Sequence, residues 1–444
     1  MKIYHERDTI AALATPPGRG GVAVIRLSGW DLLPLAEQLT GKRPKPRYAH
    51  YLPFLDGGGE VIDRGLLLYF PAPRSFTGQD VLELHPHGSP VVVDQLLERL
   101  YELGARPAQP GEFSYRAFLN GKIDLAQAEA IAALIESSSR QAARAALRSL
   151  EGRFSAEVER LKERLLEARV HLEATIDFSD EAIEPEAVGE KLRRWLADLD
   201  RLLRRCQQGQ RLQEGMTVVI AGPPNVGKSS LLNALAEREV AIVTEIAGTT
   251  RDLLREQILI DGMPLHVVDT AGLRETEDRV ERVGIQRAEE AILRADRLLL
   301  VLDVRFPEAE RALSDHLPPN LPLTRIYNKI DLVGRPAELG ERDGVPTLYL
   351  SAKTGAGIDL LRSHLKASVG VDDGEDTLGA RRRHVEALRR AREEVLEALQ
   401  ILPLADELAA EHLRRAQNAL GEITGEVTTE DLLGAIFATF CIGK

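Results

Sequence analysis

The residues best suited to chemistry lie between Gly222 and Lys353. Gly222-Pro223-Pro224-Asn225-Val226-Gly227-Lys228-Ser229 has the spacing G-x-x-x-x-G-K-S and follows the apolar run Met216–Ala221 (MTVVIA). Between a strand and a helix, glycines at these positions let backbone N–H groups curl around phosphate oxygens, and the helix N-terminus adds a positive dipole end. Lys228 is placed to reach the outer phosphates and the Ser229 hydroxyl to ligate Mg²⁺. Val226, Gly227 and Ser230 belong to the same cradle. By itself this motif leaves an ATPase or a chance loop open.

Three further stretches narrow the reading. Pro264–Val268 reads as a strand leading into Asp269-Thr270-Ala271-Gly272, where Asp269 can hold the Mg²⁺ shell and the Gly272 N–H can meet the terminal phosphate. Leu323–Tyr327 reads as a strand ending in Asn328-Lys329-Ile330-Asp331. A carboxylate at Asp331 accepts two N–H groups from guanine, a pattern adenine does not present. Leu348–Leu350 then leads to Ser351-Ala352-Lys353, whose backbone can donate to the guanine O6. Four motifs in this order, each at the C-terminal end of a strand, specify a guanine-nucleotide-binding domain.

Two positions are unusual for such a site. Ras-like GTPases carry a water-orienting Gln directly after the second motif; here that place is Leu273, which cannot hydrogen-bond. Glu275, Glu277, Asp278 and Glu281 stand nearby, either as replacements or as a solvated loop. No Arg stands out as a built-in finger, and Asn225 is either a cation ligand beside the phosphates or an ordinary loop-stabilising Asn.

The elements that must position these residues follow from texture. With 444 residues the chain exceeds one ordinary core, so two to four domains are expected. Hydrophobic residues at 44% and charged residues at 28% exclude collagenous and largely disordered chains. A net charge of −12 excludes a protein coated in nucleic acid but permits a local basic groove. Cys206 and Cys441 cannot build a disulfide framework, the N-terminus lacks the apolar run of a signal peptide, and the longest apolar stretch, near Leu298–Leu302, is far short of a membrane span. A cytoplasmic protein without a membrane partner is expected.

Short runs at Gly21–Leu27, Gly65–Phe70 and Val81–Leu84 read as strands, with a helix over Pro90–Leu103. Leu147, Leu150, Phe154, Val158, Leu161, Leu165 and Leu172 mark one helical face, as do Val385, Leu388, Ala391, Val395, Leu399 and Leu402. Strands alternate with helices between them, and Asp261-Gly262 reads as a hairpin turn. Since neither helical flank buries its stripe alone, the expectation is an α/β domain inserted into a helical domain made from both flanks.

Over its whole length the chain resembles the MnmE (TrmE) family of tRNA-modification GTPases. The likeness rests on Ala14-Thr15-Pro16-Pro17-Gly18-Arg19-Gly20-Gly21, Ser75-Phe76-Thr77-Gly78, Gly111-Glu112-Phe113-Ser114, Arg116-Ala117-Phe118-Leu119-Asn120, Gly248-Thr249-Thr250-Arg251-Asp252 and the terminal Cys441-Ile442-Gly443-Lys444. It implies a multidomain α/β plus α fold: an N-terminal α+β folate-binding and dimerising domain (1–120), a discontinuous helical domain (121–212 and 375–444) and an inserted Ras-like P-loop GTPase domain (215–371). It implies a homodimer, K⁺-dependent hydrolysis of GTP, and K⁺ ligands at Asn225, Thr244, Ile246 and Thr249. The nucleotide site then takes in Glu245, Ala247 and Gly248 of that segment, and Thr250 joins Ser229 on Mg²⁺. Glu281 matches the catalytic glutamate. The family acts on the wobble uridine of certain tRNAs with the flavoprotein MnmG, and takes carbon from a tetrahydrofolate derivative (5-formyl- or methylene-). Arg26, Glu83 and Lys122 match folate-contacting positions, with Lys444 near them and Cys441 as a nucleophile or proton donor. The chain departs from the family at Ser89, where a second Gly is usual after Gly88, and at Gln79, usually Glu.

Other features admit plainer readings. Cys206 reads as structural, and His85-Pro86-His87 lacks the further ligands of a metal site, so His87 orients a pocket group or packs. Arg193-Arg194, Arg201, Arg204-Arg205 and Arg381-Arg382-Arg383 read equally as a solvated face or as a tRNA phosphate surface. A GTP-gated RNA- or ribosome-binding assembly factor shares the nucleotide motifs and is the alternative function; a nucleotide sensor without turnover is a third.

Overall fold

Period-two burial, as at Gly65, Leu67 and Tyr69 within Val61–Phe70, marks a strand that covers a core with one face, and the computed structural model pairs it as such. It describes residues 8–137, 139–177, 185–236, 255–260, 263–269, 295–310, 321–368, 377–402 and 404–443. In chain order the first elements are β1 (Ile10–Leu13), β2 (Ile25–Gly29), α1 (Leu33–Thr40), β3 (His50–Leu55), β4 (Val61–Phe70), β5 (Asp80–His85), α2 (Pro90–Glu102) and β6 (Arg106–Pro107). Next come α3 (Glu112–Leu119), α4 (Leu125–Glu136), α5 (Arg140–Leu150), α6 (Arg153–Asp177) and α7 (Pro185–Glu214). An alternating region holds β7 (Met216–Ala221), α8 (Lys228–Ala236), β8 (Arg255–Ile260), β9 (Met263–Asp269), β10 (Arg297–Asp303), β11 (Leu323–Asn328), β12 (Glu338–Arg342), β13 (Val345–Tyr349) and α9 (Ile358–Ser368). The chain closes with α10 (Arg382–Ile401), α11 (Asp406–Thr424) and α12 (Glu430–Ala438).

Two compact units result. One comprises Met1–Ala132, Ser149–Leu199 and Ala387–Lys444. Its sheet runs β3-β4-β5-β2-β1-β6, antiparallel except for the β1–β6 pair. Leu27, Phe54, Leu67, Leu82 and Leu84 of the sheet share a core with Leu35 and Leu39 of α1 and Leu96 and Leu100 of α2. The strand expected from Gly21 begins instead at Ile25, because Gly20 makes only an isolated bridge to Gly88 and Ala23 N–H reaches out to Pro86 O. In the same unit Leu125, Ala128 and Ala132 pack with Phe437 and Phe440, bringing the C-terminal helix onto α3 and α4. Arg169 donates to Gln417 at 2.7 Å, tying α6 to α11, and Trp195 Nε1–H donates to Leu161 O at 2.8 Å, tying α7 to α6.

The face expected from Leu147 to Leu172 is not one helix. Gly152, at φ +83°, divides it into α5 and α6. A left-handed residue ends a helix because it turns the next N–H out of the ladder, and Gly does so without a Cβ clash. Phe154, Val158, Leu161, Leu165 and Leu172 are buried as expected, whereas Leu147 is 44% exposed.

The second unit comprises Ala133–Arg148 and Asp200–Glu386. Its sheet runs β12-β13-β11-β10-β7-β9-β8. The five inner strands are parallel, as the alternation of strand and helix required, and both edge strands are antiparallel. The β8–β9 register closes at Ile260 opposite Met263, which leaves two residues for the expected Asp261-Gly262 turn; those two lie outside the described residues. Val218, Ile220, Leu299, Val301 and Ile326 pack with Leu231 and Leu235 of α8 and Leu361 and Leu365 of α9. Segment Thr377–Ala380 lies buried beside α5 and α7: Gly379 N–H donates to Ala145 O at 3.1 Å and Arg148 to Thr377 O at 3.1 Å. A Cβ on Gly209 of α7 would stand 1.7 Å from Leu378 O. Among the described residues no helix is long and apolar enough to cross a membrane.

Candidate functional site

The phosphate loop leaves the middle of the second unit's sheet, where β7 lies between β10 and β9. Its glycines are required sterically. Gly222 (φ +152°) would drive a Cβ to 2.1 Å from Val301 O, and Gly227 (φ +98°) would place one 2.5 Å from Asn328 Nδ2. Asn225 between them also takes a left-handed conformation, φ +63°, which Asn tolerates better than most residues. Lys228 opens α8, and its Nζ donates to Gly222 O at 2.8 Å and Pro223 O at 3.0 Å. The ammonium thus folds back over its own loop, on carbonyls that phosphate oxygens can replace.

The base side is built from β11 and the turn after β13. Asn328, 2% exposed, is a structural hub. Its Nδ2 donates to Val226 O at 2.8 Å, while its Oδ1 accepts from Lys329 N–H at 2.8 Å and Ala352 N–H at 2.9 Å. Lys329 Nζ donates to Asn225 O at 2.5 Å and lies 3.0 Å from Asp303 Oδ2. The fully buried Ser351 donates its hydroxyl to Asp331 Oδ1 at 2.6 Å. One carboxylate oxygen is thereby fixed, and the other has no hydrogen-bond partner among the described residues. Ser351 N–H is spent on Ala356 O and Ala352 N–H on Asn328 Oδ1, so of the three expected O6 donors Lys353 is the one whose N–H has no acceptor among the described residues.

Asp269 ends β9 beside Ile220, at the same sheet edge as the loop. Thr270, Ala271, Gly272, the segment Thr244–Thr250 and the expected catalytic Glu281 lie outside the described residues. Asn225 and Ser229 are exposed, and their side chains make no hydrogen bond among the described residues. Amide and hydroxyl oxygens are the donors that K⁺ and Mg²⁺ take, so both residues fit the ions assigned to them.

The second expected site lies in the other unit. Arg26 and Glu83 sit opposite one another across β2 and β5. Arg26 Nε and one terminal NH₂ donate to the same oxygen, Glu83 Oε1, at 2.9 and 2.8 Å. Glu83 Oε2 has His85 Nε2 at 3.6 Å, beyond hydrogen-bond reach, and accepts no hydrogen bond among the described residues. The guanidinium lies 5.7 Å from the Phe76 ring centre and 5.9 Å from that of Phe113. Lys122 Nζ donates to Pro73 O at 3.0 Å. The chain end comes to the same part of the unit: Gly111 N–H donates to Cys441 O at 3.3 Å, and a Cβ on Gly443 would stand 2.3 Å from Leu13 O. Cys441 is exposed and Cys206 buried; Lys444 lies outside the described residues.

Gln79 faces a buried polar network. Its Oε1 accepts from Ser28 Oγ at 2.9 Å and from Arg116 at 3.0 Å, and Glu112 neutralises Arg116 at 2.9 Å. His87 is exposed and pairs its Nδ1 with Asp63 at 2.9 Å, which makes it a surface residue. Of the arginine clusters, Arg193 pairs with Glu190 and Arg382 with Glu386 on their own helices. Two contacts beside the site are not readable from spacing: Asp303, opposite Asn328 and 3.0 Å from Lys329 Nζ, and the Ser351 hydroxyl on Asp331.

Residues 125–441 match the MnmE helical domain family and residues 9–122 the N-terminal family of the GTP-binding protein TrmE. The first match spans both helical flanks and the α/β region between them. A tRNA modification GTPase MnmE of Methylococcus capsulatus is 56% identical over 444 residues, covering 99% of each chain. That of Stutzerimonas stutzeri is 58% identical over 451 residues, again covering 99% of each chain. That of Hydrogenovibrio crunogenus is 55% identical over 450 residues, covering 99% of this chain and 100% of its own. With this identity along the whole length, the chain belongs to the MnmE family of tRNA modification GTPases.

Proposed function

We propose that this chain hydrolyses GTP with K⁺ activation and couples that cycle to folate-dependent modification of the wobble uridine of tRNA. Its working form is a homodimer joined by the flavoprotein MnmG. In this reading residues 1–120 bind folate and dimerise, 215–371 are the G domain, and 121–212 with 375–444 form the helical domain. The observation that carries the guanine part is Asp331, with Oδ1 held by Ser351 and Oδ2 without a hydrogen-bond partner among the described residues.

The residues then divide the work. Asp331 accepts the two guanine N–H groups and Lys353 N–H donates to O6. Lys228 exchanges the Gly222 and Pro223 carbonyls for phosphate oxygens. Ser229 and Thr250 hold Mg²⁺, with Asp269 in its shell, and Asn225, Thr244, Ile246 and Thr249 hold K⁺. When bound, these cations neutralise charge that develops on the transferring phosphoryl group, the task an Arg finger performs elsewhere. Glu281 orients the attacking water in place of the Gln that Leu273 cannot supply. Arg26, Glu83, Lys122 and Lys444 bind the folate, whose one-carbon unit becomes part of the aminomethyl-type group, and Cys441 takes part as nucleophile or proton donor.

Two measurements test this. GTP turnover in K⁺ should exceed that in Na⁺ by about tenfold or more, as expected when a preorganised charge stabiliser is removed; equal rates in both salts would sink the K⁺ assignment. Nucleoside mass spectrometry of tRNA from a deletion strain should lack the modified wobble uridine, with rescue by the native chain and not by Lys228→Ala or Cys441→Ser. An unchanged nucleoside profile in a strain without a second copy would overturn the modification reading.

A further inference from the structure

Asp303 lies outside all four nucleotide motifs, yet it ends β10 directly across from Asn328, the last residue of β11. It is 8% exposed and its carboxylate is held on two sides. On one side Arg305 donates through Nε to Oδ1 at 3.0 Å, through NH₂ to Oδ2 at 2.7 Å and through its backbone N–H to Oδ1 at 3.1 Å. On the other, Lys329 Nζ lies 3.0 Å from Oδ2. The Arg305 side chain first, then its backbone N–H and Lys329, hold the Asp303 carboxyl well below the usual carboxylate range, so it stays ionised.

The Lys329 ammonium that Asp303 holds also grips Asn225 O, while the neighbouring Asn328 side chain grips Val226 O. Two successive carbonyls of the phosphate loop are therefore turned toward the end of β11. In a planar trans peptide the C=O of one residue and the N–H of the next point in opposite directions. Fixing the carbonyls of Asn225 and Val226 thus fixes the direction of the Val226 and Gly227 N–H groups, which are donors a nucleotide phosphate needs. The left-handed backbone at Asn225 gives the loop a reason to need an outside hold.

We propose that Asp303 is a positioning residue of the nucleotide site: through Lys329 it fixes the Asn225 carbonyl and so aims the loop N–H groups at the phosphates. This inference rests on the guanine-nucleotide reading given above. Asp303 touches no ligand itself. Arg305 restrains the carboxylate from the far side and is secondary, since its removal leaves the Asp303–Lys329 pair in place.

The test uses the full chain, with fluorescent GDP titrations of Asp303→Asn, Asp303→Ala, Arg305→Ala, Lys329→Ala and the Asp303→Ala/Lys329→Ala pair. Asp303→Ala should weaken GDP about tenfold and the near-isosteric Asp303→Asn about threefold, the scale of a lost hydrogen bond to a charged group. Arg305→Ala should change it by less than about twofold, as expected away from a direct contact. In the Lys329→Ala background, Asp303→Ala should add almost nothing, because both act through one contact. The ³¹P resonance of the bound β-phosphate should move in Asp303→Asn, a response that lost stability alone does not produce. GDP affinity unchanged in both Asp303 variants, or full additivity of the Asp303 and Lys329 losses, would overturn the proposal. If Asp303→Ala fails to fold, Asp303→Asn decides alone. A separate arm, Asp331→Asn titrated with xanthosine diphosphate, tests the base reading: failure to gain xanthine binding condemns that reading, while success with unaffected Asp303 variants condemns only the role of Asp303.

Discussion

Ser351 shows how a single hydroxyl fixes the carboxylate that we propose reads guanine. Fully buried, it donates to Asp331 Oδ1 and accepts from Thr354 N–H at 3.2 Å, so the carboxylate is held before any ligand arrives. Ser351→Ala removes one charge-assisted hydrogen bond, and GDP affinity should fall by about fivefold to tenfold without loss of guanine preference, as measured by equilibrium titration. A second residue-scale device lies at the start of β10. Arg297 donates to Thr324 Oγ1 at 2.8 Å, and the Thr324 hydroxyl lies 2.9 Å from His364 Nε2, which it can donate to when the ring is neutral. Burial first, then the Arg297 guanidinium, holds His364 below the ordinary imidazole value of 6.5. The folded state therefore favours the neutral ring, and its contribution is complete above about pH 6.5 and lost as pH falls below that value. The thermal midpoint of the parent should drop more steeply between about pH 6.5 and 5.5 than that of His364→Gln.

At the scale of elements, two glycines hold positions that no other residue fits. Gly209 sits inside α7, where Gly→Ala ordinarily stabilises by about 1 kcal/mol. Here the new Cβ would meet Leu378 O at 1.7 Å, and the clash is with backbone. Gly209→Ala should instead destabilise by about 1–3 kcal/mol in denaturant unfolding, because segment Thr377–Ala380 must retreat from α5 and α7. Gly227 occupies the loop before α8, and its Cβ would push Asn328 Nδ2 away from Val226 O. Gly227→Ala should abolish GDP binding while the far-UV circular dichroism remains that of the parent.

At the scale of the whole molecule, the two expected sites belong to different units. The nucleotide side chains that are described all lie in the stretch Asp200–Glu386, whereas Arg26, Glu83, Lys122 and Cys441 lie in the other. Their ligands can be assayed separately on the intact chain. Equilibrium dialysis with 5-formyl-tetrahydrofolate should show binding that Glu83→Gln weakens by about tenfold, since it removes the ionised acceptor for the ligand N–H groups. The GTP turnover of that variant should stay at the parent rate. Unchanged folate binding in Glu83→Gln would remove that residue from the folate site.

The order of the four nucleotide motifs, the apolar run of each strand before them and the amphipathic flanks were all legible in the chain, because each depends on neighbours within about ten residues. The apolar run Met216–Ala221 forms β7 as expected, and the expected helix over Pro90–Leu103 forms with Pro90 at its first position. The break at Gly152 is not legible in the chain, because an unbroken apolar spacing hides a single left-handed residue. Contacts that join distant parts were invisible in one dimension. The Asp303–Asn328 register, the Ser351–Asp331 bond, the Arg26–Glu83 pair across two strands and the seat of Gly443 on Leu13 each depend on how strands are ordered in a sheet. Residue types and spacing determined which chemistry this chain carries. Only tertiary structure decided which groups hold that chemistry in place, because strand order is set by burial of the whole sheet and not by any local sequence.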